Sequence, residues 1–196
     1  MMKFTISKNE LSEILQIVSK GMSARSTLPI LSGFYIRATD GEVIFQSTDL
    51  EVSVKHIASA LVESEGETVV PGKYFLEIVK SLPDAAVCCE VEDTLFKVIC
   101  MDSEFKLNTL NPADFPAFPE MQVDTSATIS LGALSTMVKQ VSKAVSRDET
   151  RAVLTGIFFM IEEDTLRMVA TDSYRLAISE QKMETPISEK FEVIVP

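Results

Sequence analysis

Histidine is almost missing from this chain of 196 residues, occurring once, at His56. With no Gly-rich phosphate loop and no nucleophile elbow either, the commonest constellations of general-base, phosphate-cradling and nucleophilic catalysis are excluded. A lone histidine on a predicted strand reads as structural. The three cysteines form no CxxC motif and no Cys/His cluster. Cys88 and Cys89 are neighbours, so a strand points them to opposite faces, and Cys100 is left unmatched. Free thiols in a reducing cytoplasm are therefore expected, with no metal and no cofactor. No apolar run is long enough to span a bilayer, and the opening residues do not read as a charged-then-apolar leader, so no membrane partner is expected. Glycine and proline are few, at seven and eight. With 46% hydrophobic and 24% charged residues, the chain can bury a core in one or two domains.

What is present is a repeat. LSGFYIRATDGEVIFQSTD (residues 31–49) returns as LTGIFFMIEEDTLRMVATD (154–172), the same length without a gap. Leu31/Leu154, Gly33/Gly156, Thr48/Thr171 and Asp49/Asp172 recur at a shift of 123 residues. The shift extends upstream through Thr5-Ile6-Ser7, Leu11-Ser12 and Val18-Ser19-Lys20. Fourteen of the 51 residues from Thr5 to Lys55 match, which makes this a duplicated structural unit.

Residues 3–6 alternate as a strand. Ser7 with Glu10 forms a capping-box pattern ahead of Leu11, Ile14, Leu15, Val18 and Met22, predicting an amphipathic helix over 7–20. Leu28-Pro29 then opens a strand, Asp40-Gly41 marks a hairpin, and Thr48-Asp49 turns into a third strand at 52–57. Residues 67–108 repeat the order, with a helix over 73–82 and strands at 87–91, 95–101 and 105–110. The first 110 residues thus read as two β-α-β-β-β half-units. NPADFPAFPE (111–120) is a proline-punctuated linker, dividing a domain at 1–120 from an incomplete one at 121–196. In the latter a helix is expected over 131–147 and strands near 153–161, 166–170 and 175–179. Glu192-Val193-Ile194-Val195-Pro196 is similar to Glu67-Thr68-Val69-Val70-Pro71, the start of a second half-unit. A half-unit ending at its first strand leaves an edge and an apolar face uncovered, so an N-terminal piece of a longer protein is expected.

The net charge is −11, which taken alone speaks against nucleic acid. Its distribution does not. The three predicted helices carry Lys8, Lys20, Lys73, Lys80, Lys139, Lys143 and Arg147 against Glu10, Glu13 and Glu77, a net +4 that leaves −15 for everything else. Asp and Glu are absent from 125–147. There Lys139, Lys143 and Arg147 fall at i, i+4 and i+8, one stripe opposite a seam of Leu134, Val138, Val141 and Val145. Cations on one helix are ordinarily a solvated face. Sorted across three, they read as a basic surface that contacts phosphates without reading bases, and bulk acidity at longer range is screened.

MKFTISKNEL (2–11), TLPIL (27–31), STDLE (47–51), NPADFP (111–116), VATDSYRLA (169–177) and VIVP (193–196) occur in that order. In this the chain resembles, over its whole length, the bacterial DNA polymerase III β subunit family, the replicative sliding clamps. The resemblance implies an α+β DNA clamp fold of duplicated half-units, antiparallel sheets outside and basic helices lining one face. It implies three domain copies per chain and a ring-shaped homodimer around double-stranded DNA. This chain ends inside the second copy and lacks the third. Partners implied are the replicative polymerase, the clamp loader and repair proteins, which dock through short linear motifs.

By the same resemblance Leu154, Thr171, Asp172, Ser173, Tyr174, Arg175 and Leu176 form one side of a hydrophobic motif pocket. The bland alternative makes Leu154 and Leu176 core and Thr171-Asp172 a turn, which Thr48-Asp49 favours, so the pocket leans on Ser173, Tyr174 and Arg175. Arg25, and Arg147 with Arg151, match DNA-contacting loops at the rim, beside Lys20, Lys73, Lys80, Lys139 and Lys143 on the helices. Phe105 and Leu107 match the dimer interface, or are ordinary core-facing strand residues. An enzyme is the rival class, but Glu162-Glu163-Asp164 sits at a predicted hairpin tip where solvation explains it. An acidic β-rich interaction module without DNA encirclement also fits the composition, and has no need of basic helices.

Overall fold

The computed structural model describes residues 2–22, 28–119, 126–184, 186 and 190–196. Arg25 lies outside the described residues. The chain divides into two compact units, Met1–Glu120 and Met121–Pro196.

In the first unit β1 (Met2–Ser7) alternates, burying Met2, Phe4 and Ile6. Ser7 Oγ accepts the Glu10 N–H and so starts α1 (Lys8–Val18), which buries Leu11, Ile14, Leu15 and Val18 at i, i+3, i+4 and i+7. Then come β2 (Gly33–Thr39), β3 (Glu42–Thr48), β4 (Ser53–Ser59), β5 (Leu61–Ser64) and β6 (Gly66–Pro71). They are followed by α2 (Gly72–Ser81), β7 (Ala86–Glu92), β8 (Leu95–Cys100) and β9 (Ser103–Asn108). Asp40 and Gly41, both at positive φ, make the two-residue hairpin between β2 and β3.

The strands form two antiparallel sheets ordered β5-β1-β7-β8-β9 and β4-β3-β2-β6. Each half-unit therefore lends its first strand to the other half's sheet: β1 pairs with β7, and β6 with β2. Their inner faces and both helices share one core, in which Phe4 of one sheet meets Phe45 of the other edge-to-face at 6.2 Å, and Phe75 of α2 meets Phe96 at 5.1 Å.

The second unit holds α3 (Leu131–Val141), β10 (Ile157–Glu162), β11 (Thr165–Thr171), β12 (Leu176–Lys182) and β13 (Phe191–Val195). Its sheet order, β12-β11-β10-β13, copies β4-β3-β2-β6. The register is copied too, Ile157 facing Val195 as Phe34 faces Val70. The shared glycine is the close approach in that pairing: a Cβ on Gly33 would meet Val69 Cγ1 at 2.6 Å, and one on Gly156 would meet the Val195 carbonyl at 2.6 Å. The core here is smaller, Met137, Val141 and Ala144 against Ile161, Leu166, Met168 and Ala170.

Several expectations need correction. The helix predicted over 131–147 ends at Val141, with one 3-10 turn to Ala144. Val145 is extended, and the Ser146 N–H bonds the Leu154 carbonyl instead of continuing a helix. Arg147 thus leaves the stripe, which reduces to Lys139 and Lys143. The first helix likewise closes at Val18, with Lys20 in a 3-10 turn. Two strands start later than expected: residues 29–32, and 153–154 within Glu149–Leu154, lie in 3-10 turns, since Pro29 fixes a helical φ and Asp148 caps the other. β5 was not expected: no turn residue separates it from β4, and pairing with β1 defines it. Thr128–Ser130, equivalent to β1, forms no strand because no ladder partner lies beside it among the described residues.

Candidate functional site

The turn between β11 and β12 is built by three side chains. Asp172 Oδ1 accepts the N–H groups of Tyr174 and Arg175, both at 3.0 Å, and Oδ2 accepts Arg175 Nε at 2.9 Å. Thr171 Oγ1 accepts the Ser173 N–H and donates to the Arg175 carbonyl, while Ser173 stands at φ +76°. These bonds, the Tyr174 N–H first, hold the Asp172 carboxyl below the usual carboxylate range. Locked from within, the turn exposes its tip: Tyr174 is 95% and Leu176 63% accessible, while Leu154 is half-buried.

A second locked segment stands beside it. Asp148 Oδ1 accepts from the Thr150 N–H and hydroxyl, and Oδ2 accepts Arg151 Nε at 2.8 Å. The Thr150 hydroxyl and then Arg151 keep the Asp148 carboxyl low. Arg151 Nη1 donates to Ser173 Oγ at 2.8 Å, joining this segment to the turn. Between them opens a cavity of about 410 Å³ whose lining includes Lys143, Arg147, Arg151, Asp172, Tyr174 and Arg175. It brings together residues read from the sequence as two separate sites. It does not take in Leu154, Thr171, Ser173 or Leu176. Sequence reasoning missed Asp148, although DETR (148–151) and DSYR (172–175) carry the same Asp-x-x-Arg signal.

The cations are sorted by pairing. Lys20, Lys73, Lys80, Lys139, Lys143 and Arg147 are exposed and have no ion pair among the described residues. On the sheets the pattern reverses: Lys3 pairs with Glu63, Lys97 with Glu92, Lys106 with Glu104, Arg167 with Glu180 and Lys182 with Asp164. Arg37 and Lys55 depart from it, Lys55 lying 5.6 Å from the Phe118 ring centroid.

Residues 2–119 match the DNA polymerase III beta subunit, N-terminal domain, and residues 128–196 match its central domain. The chain belongs to the DNA polymerase III beta subunit family. The Beta sliding clamp of Bacillus subtilis (strain 168) is 35% identical to it, and that of Staphylococcus aureus (strain Mu50 / ATCC 700699) 36%, each match covering 100% of this chain and 54% of the relative. The solved Bacillus subtilis clamp superposes with a TM-score of 0.93 over 100% of this chain and 54% of its own. A sliding clamp from Pseudomonas aeruginosa bound to griselimycin, 32% identical, gives 0.90 over 100% of this chain and 53% of its own. The chain thus spans about half the length of the curated relatives it matches.

Within this beta-subunit fold β9 is an edge strand of its sheet. Phe105 is 37% exposed there, and Leu107 packs against the core. Among the described residues no helix is long and apolar enough to cross a membrane, and no group of three His, Cys, Asp or Glu side chains is placed to hold a metal.

Proposed function

We propose that this chain forms part of a sliding clamp, a non-catalytic ring that encircles duplex DNA without reading its sequence. It tethers the replicative polymerase, the clamp loader and repair proteins through short linear motifs. The observation that carries this reading is the sorting of cations, unpaired on and after the helices and mostly paired on the sheets. Lys20, Lys73, Lys80, Lys139, Lys143 and Arg147, together with Arg25, are the phosphate-contacting set. Each contact is weak and non-directional, which permits sliding, while topology supplies retention.

Arg151, engaged by Asp148 and Ser173, belongs with the motif surface of Leu154, Thr171, Ser173, Tyr174, Arg175 and Leu176. Residues 1–120 and 121–196 act as successive domains, and the Phe105–Leu107 edge carries the homodimer contact. The protein works in the cytoplasm, without cofactor or membrane.

The test joins residues 1–196 to the remaining length of the Bacillus subtilis relative and loads the chimera onto circular duplex with that organism's clamp loader. Retention on circles, lost when the same circles are cut once, is expected. Equal retention on circles and cut circles would mean ordinary surface binding and end the encirclement reading.

A further inference from the structure

Arg37 and Lys55 break the rule that cations on the sheets are paired. Glu67 stands directly opposite Arg37 in the ladder between β2 and β6, the ordinary setting of a cross-strand ion pair. Arg167 and Glu180, opposite each other on β11 and β12, do form one. The Glu67 carboxylate instead accepts the Tyr35 hydroxyl at 2.6 Å. Burial first, and then that bond, push the Tyr35 hydroxyl up to about 12, so it stays protonated and keeps Glu67 engaged. Arg37 is left exposed, with no ion pair among the described residues.

The chain after β9 roofs this face of the sheet. The Leu110 N–H bonds the Val69 carbonyl at 2.8 Å, and Phe115 stacks on Tyr35 with ring centroids 5.3 Å apart. Phe118 lies 5.6 Å from Lys55 Nζ. Between roof and sheet opens a cavity of about 270 Å³, with Arg37, Ile44, Gln46 and Lys55 in its floor and Phe115, Pro116 and Phe118 above. Gln46 is the ladder partner of both Tyr35 and Lys55, and Ile44 that of Arg37. Arg37 and Lys55 thus stand two strands and one pleat repeat apart, roughly 12 Å by strand geometry, a gap that two long side chains close from either side. The half-buried Gln46 amide, with no hydrogen bond among the described residues, lies between them. Three donors line one cavity, and its carboxylate, Glu67, is already engaged.

The fold has no need of these donors. At the shift of 123 residues Met160, Val169 and Ile178 replace Arg37, Gln46 and Lys55, yet the register is kept, with Val169 opposite both Phe158 and Ile178.

We propose that this cavity binds a small aromatic carboxylate, its charge taken by Arg37, Gln46 and Lys55 and its ring held among Ile44, Phe115 and Phe118. The volume equals that of about nine liquid waters, and so admits a molecule of about nine non-hydrogen atoms. Phe115 and Phe118 offer a ring the stacked and edge contacts that aromatic pairs prefer. A guanidinium fork matches a carboxylate, and Glu67 in the same cavity opposes a second negative charge, which favours a monoanion over a phosphate monoester. Duplex DNA is far too wide to enter a space of this size.

The 196-residue chain is titrated with benzoate, which has that size and charge, and backbone amide shifts are followed by NMR. Saturable shifts are expected at Arg37, Gln46, Lys55 and residues 112–118 together, with a dissociation constant on the order of 1 mM, the range open to so small a ligand. Benzamide keeps the shape without the charge, and acetate the charge without the ring; each should bind at least about tenfold more weakly. Arg37→Met and Lys55→Ile, which install the second unit's residues, should each weaken benzoate about tenfold, with melting temperatures reporting folding separately. Absence of a saturable shift at these residues overturns the site. So do equal responses to acetate, or shifts spread evenly over Lys20, Lys73 and Lys139, which mean unspecific pairing with exposed cations. Unchanged benzoate affinity in both variants overturns the donor assignment. Tighter binding of phenyl phosphate than of benzoate overturns the choice of a monocarboxylate.

Discussion

Two turns in this molecule have the same skeleton and different exteriors. Asp49 accepts the N–H groups of Glu51 and Val52 as Asp172 accepts those of Tyr174 and Arg175, and Leu50 and Ser173 sit at φ +78° and +76°. Around the first turn Leu31 is buried, and the tip offers Glu51. Around the second, Leu154 is half-buried, Tyr174 stands out and two arginines are pinned behind it. The residues that repeat build the turn, and those that do not repeat equip it. Thr171 and Asp172 are therefore scaffold, while Ser173, Tyr174 and Arg175 set the exterior of the second turn apart.

The largest effect expected from breaking this comparison is on the shared glycine. Gly33→Ala forces a methyl against β6, whose Thr68, Val69 and Val70 are buried and have nowhere to move, and should cost about 1–3 kcal/mol in urea unfolding. Gly156→Ala meets β13, exposed along its length, so the strand should swing away at smaller global cost and with faster amide exchange over Phe191–Val195. Equal costs would show that the two strand pairs are held alike, despite their difference in burial.

Next comes the turn aspartate. Asp49→Ala removes the acceptor for two backbone N–H groups and should cost about 1–2 kcal/mol by the same assay. Asp172 has its folded pKa lowered, so its contribution is present above the unfolded value near pH 4 and is lost as pH falls through the lower folded value. The stability gap between wild type and Asp172→Asn should then close on acidification below about pH 4. A gap that widens would contradict the sign.

A smaller effect concerns the strand–helix seam. Ser179 of β12 donates to Gln140 of α3 at 2.7 Å, whereas in the first unit His56 and Ile17 stand at the equivalent positions and the buried His56 Nδ1 has no partner among the described residues. Ile17→Gln should restore the bridge and stabilise the first unit by about 1 kcal/mol. Unchanged stability would mean that the added amide does not reach the imidazole. Smallest is Tyr174→Ala, expected to shift stability by under about 0.5 kcal/mol while weakening peptide binding. A clear loss of stability would reassign Tyr174 from docking surface to structure.

Much of the fold was legible in the chain because it rests on local rules. Ser7 capped α1, Leu11, Ile14, Leu15 and Val18 faced the core, and Asp40-Gly41 turned the hairpin. What misled was the end of the third helix. The spacing of Lys139, Lys143 and Arg147 fits a helix, but the Ser146 N–H is claimed by Leu154, eight residues on, and periodicity carries no trace of that competitor. The turn between β11 and β12 was legible only in part. Tyr174 and Arg175 stood out because they fail to repeat, whereas Asp148 meets that turn only through Arg151, which it holds and which bonds Ser173.

The sequence by itself determined the duplicated unit, the alternation that splits each strand into a buried and an exposed face, and the placing of Lys73, Lys80 and Lys139 on helices. The first is a comparison of the chain with itself, and the other two follow from neighbours a few residues apart. Only the tertiary structure decided that β1 and β6 trade sheets, that Lys143, Arg147 and Arg175 face one cavity, and which cations are left unpaired. Those outcomes depend on which distant groups reach a shared donor or acceptor first. Backbone pairing and ion pairing are short-ranged in space but not in sequence, so only the packed chain can settle them.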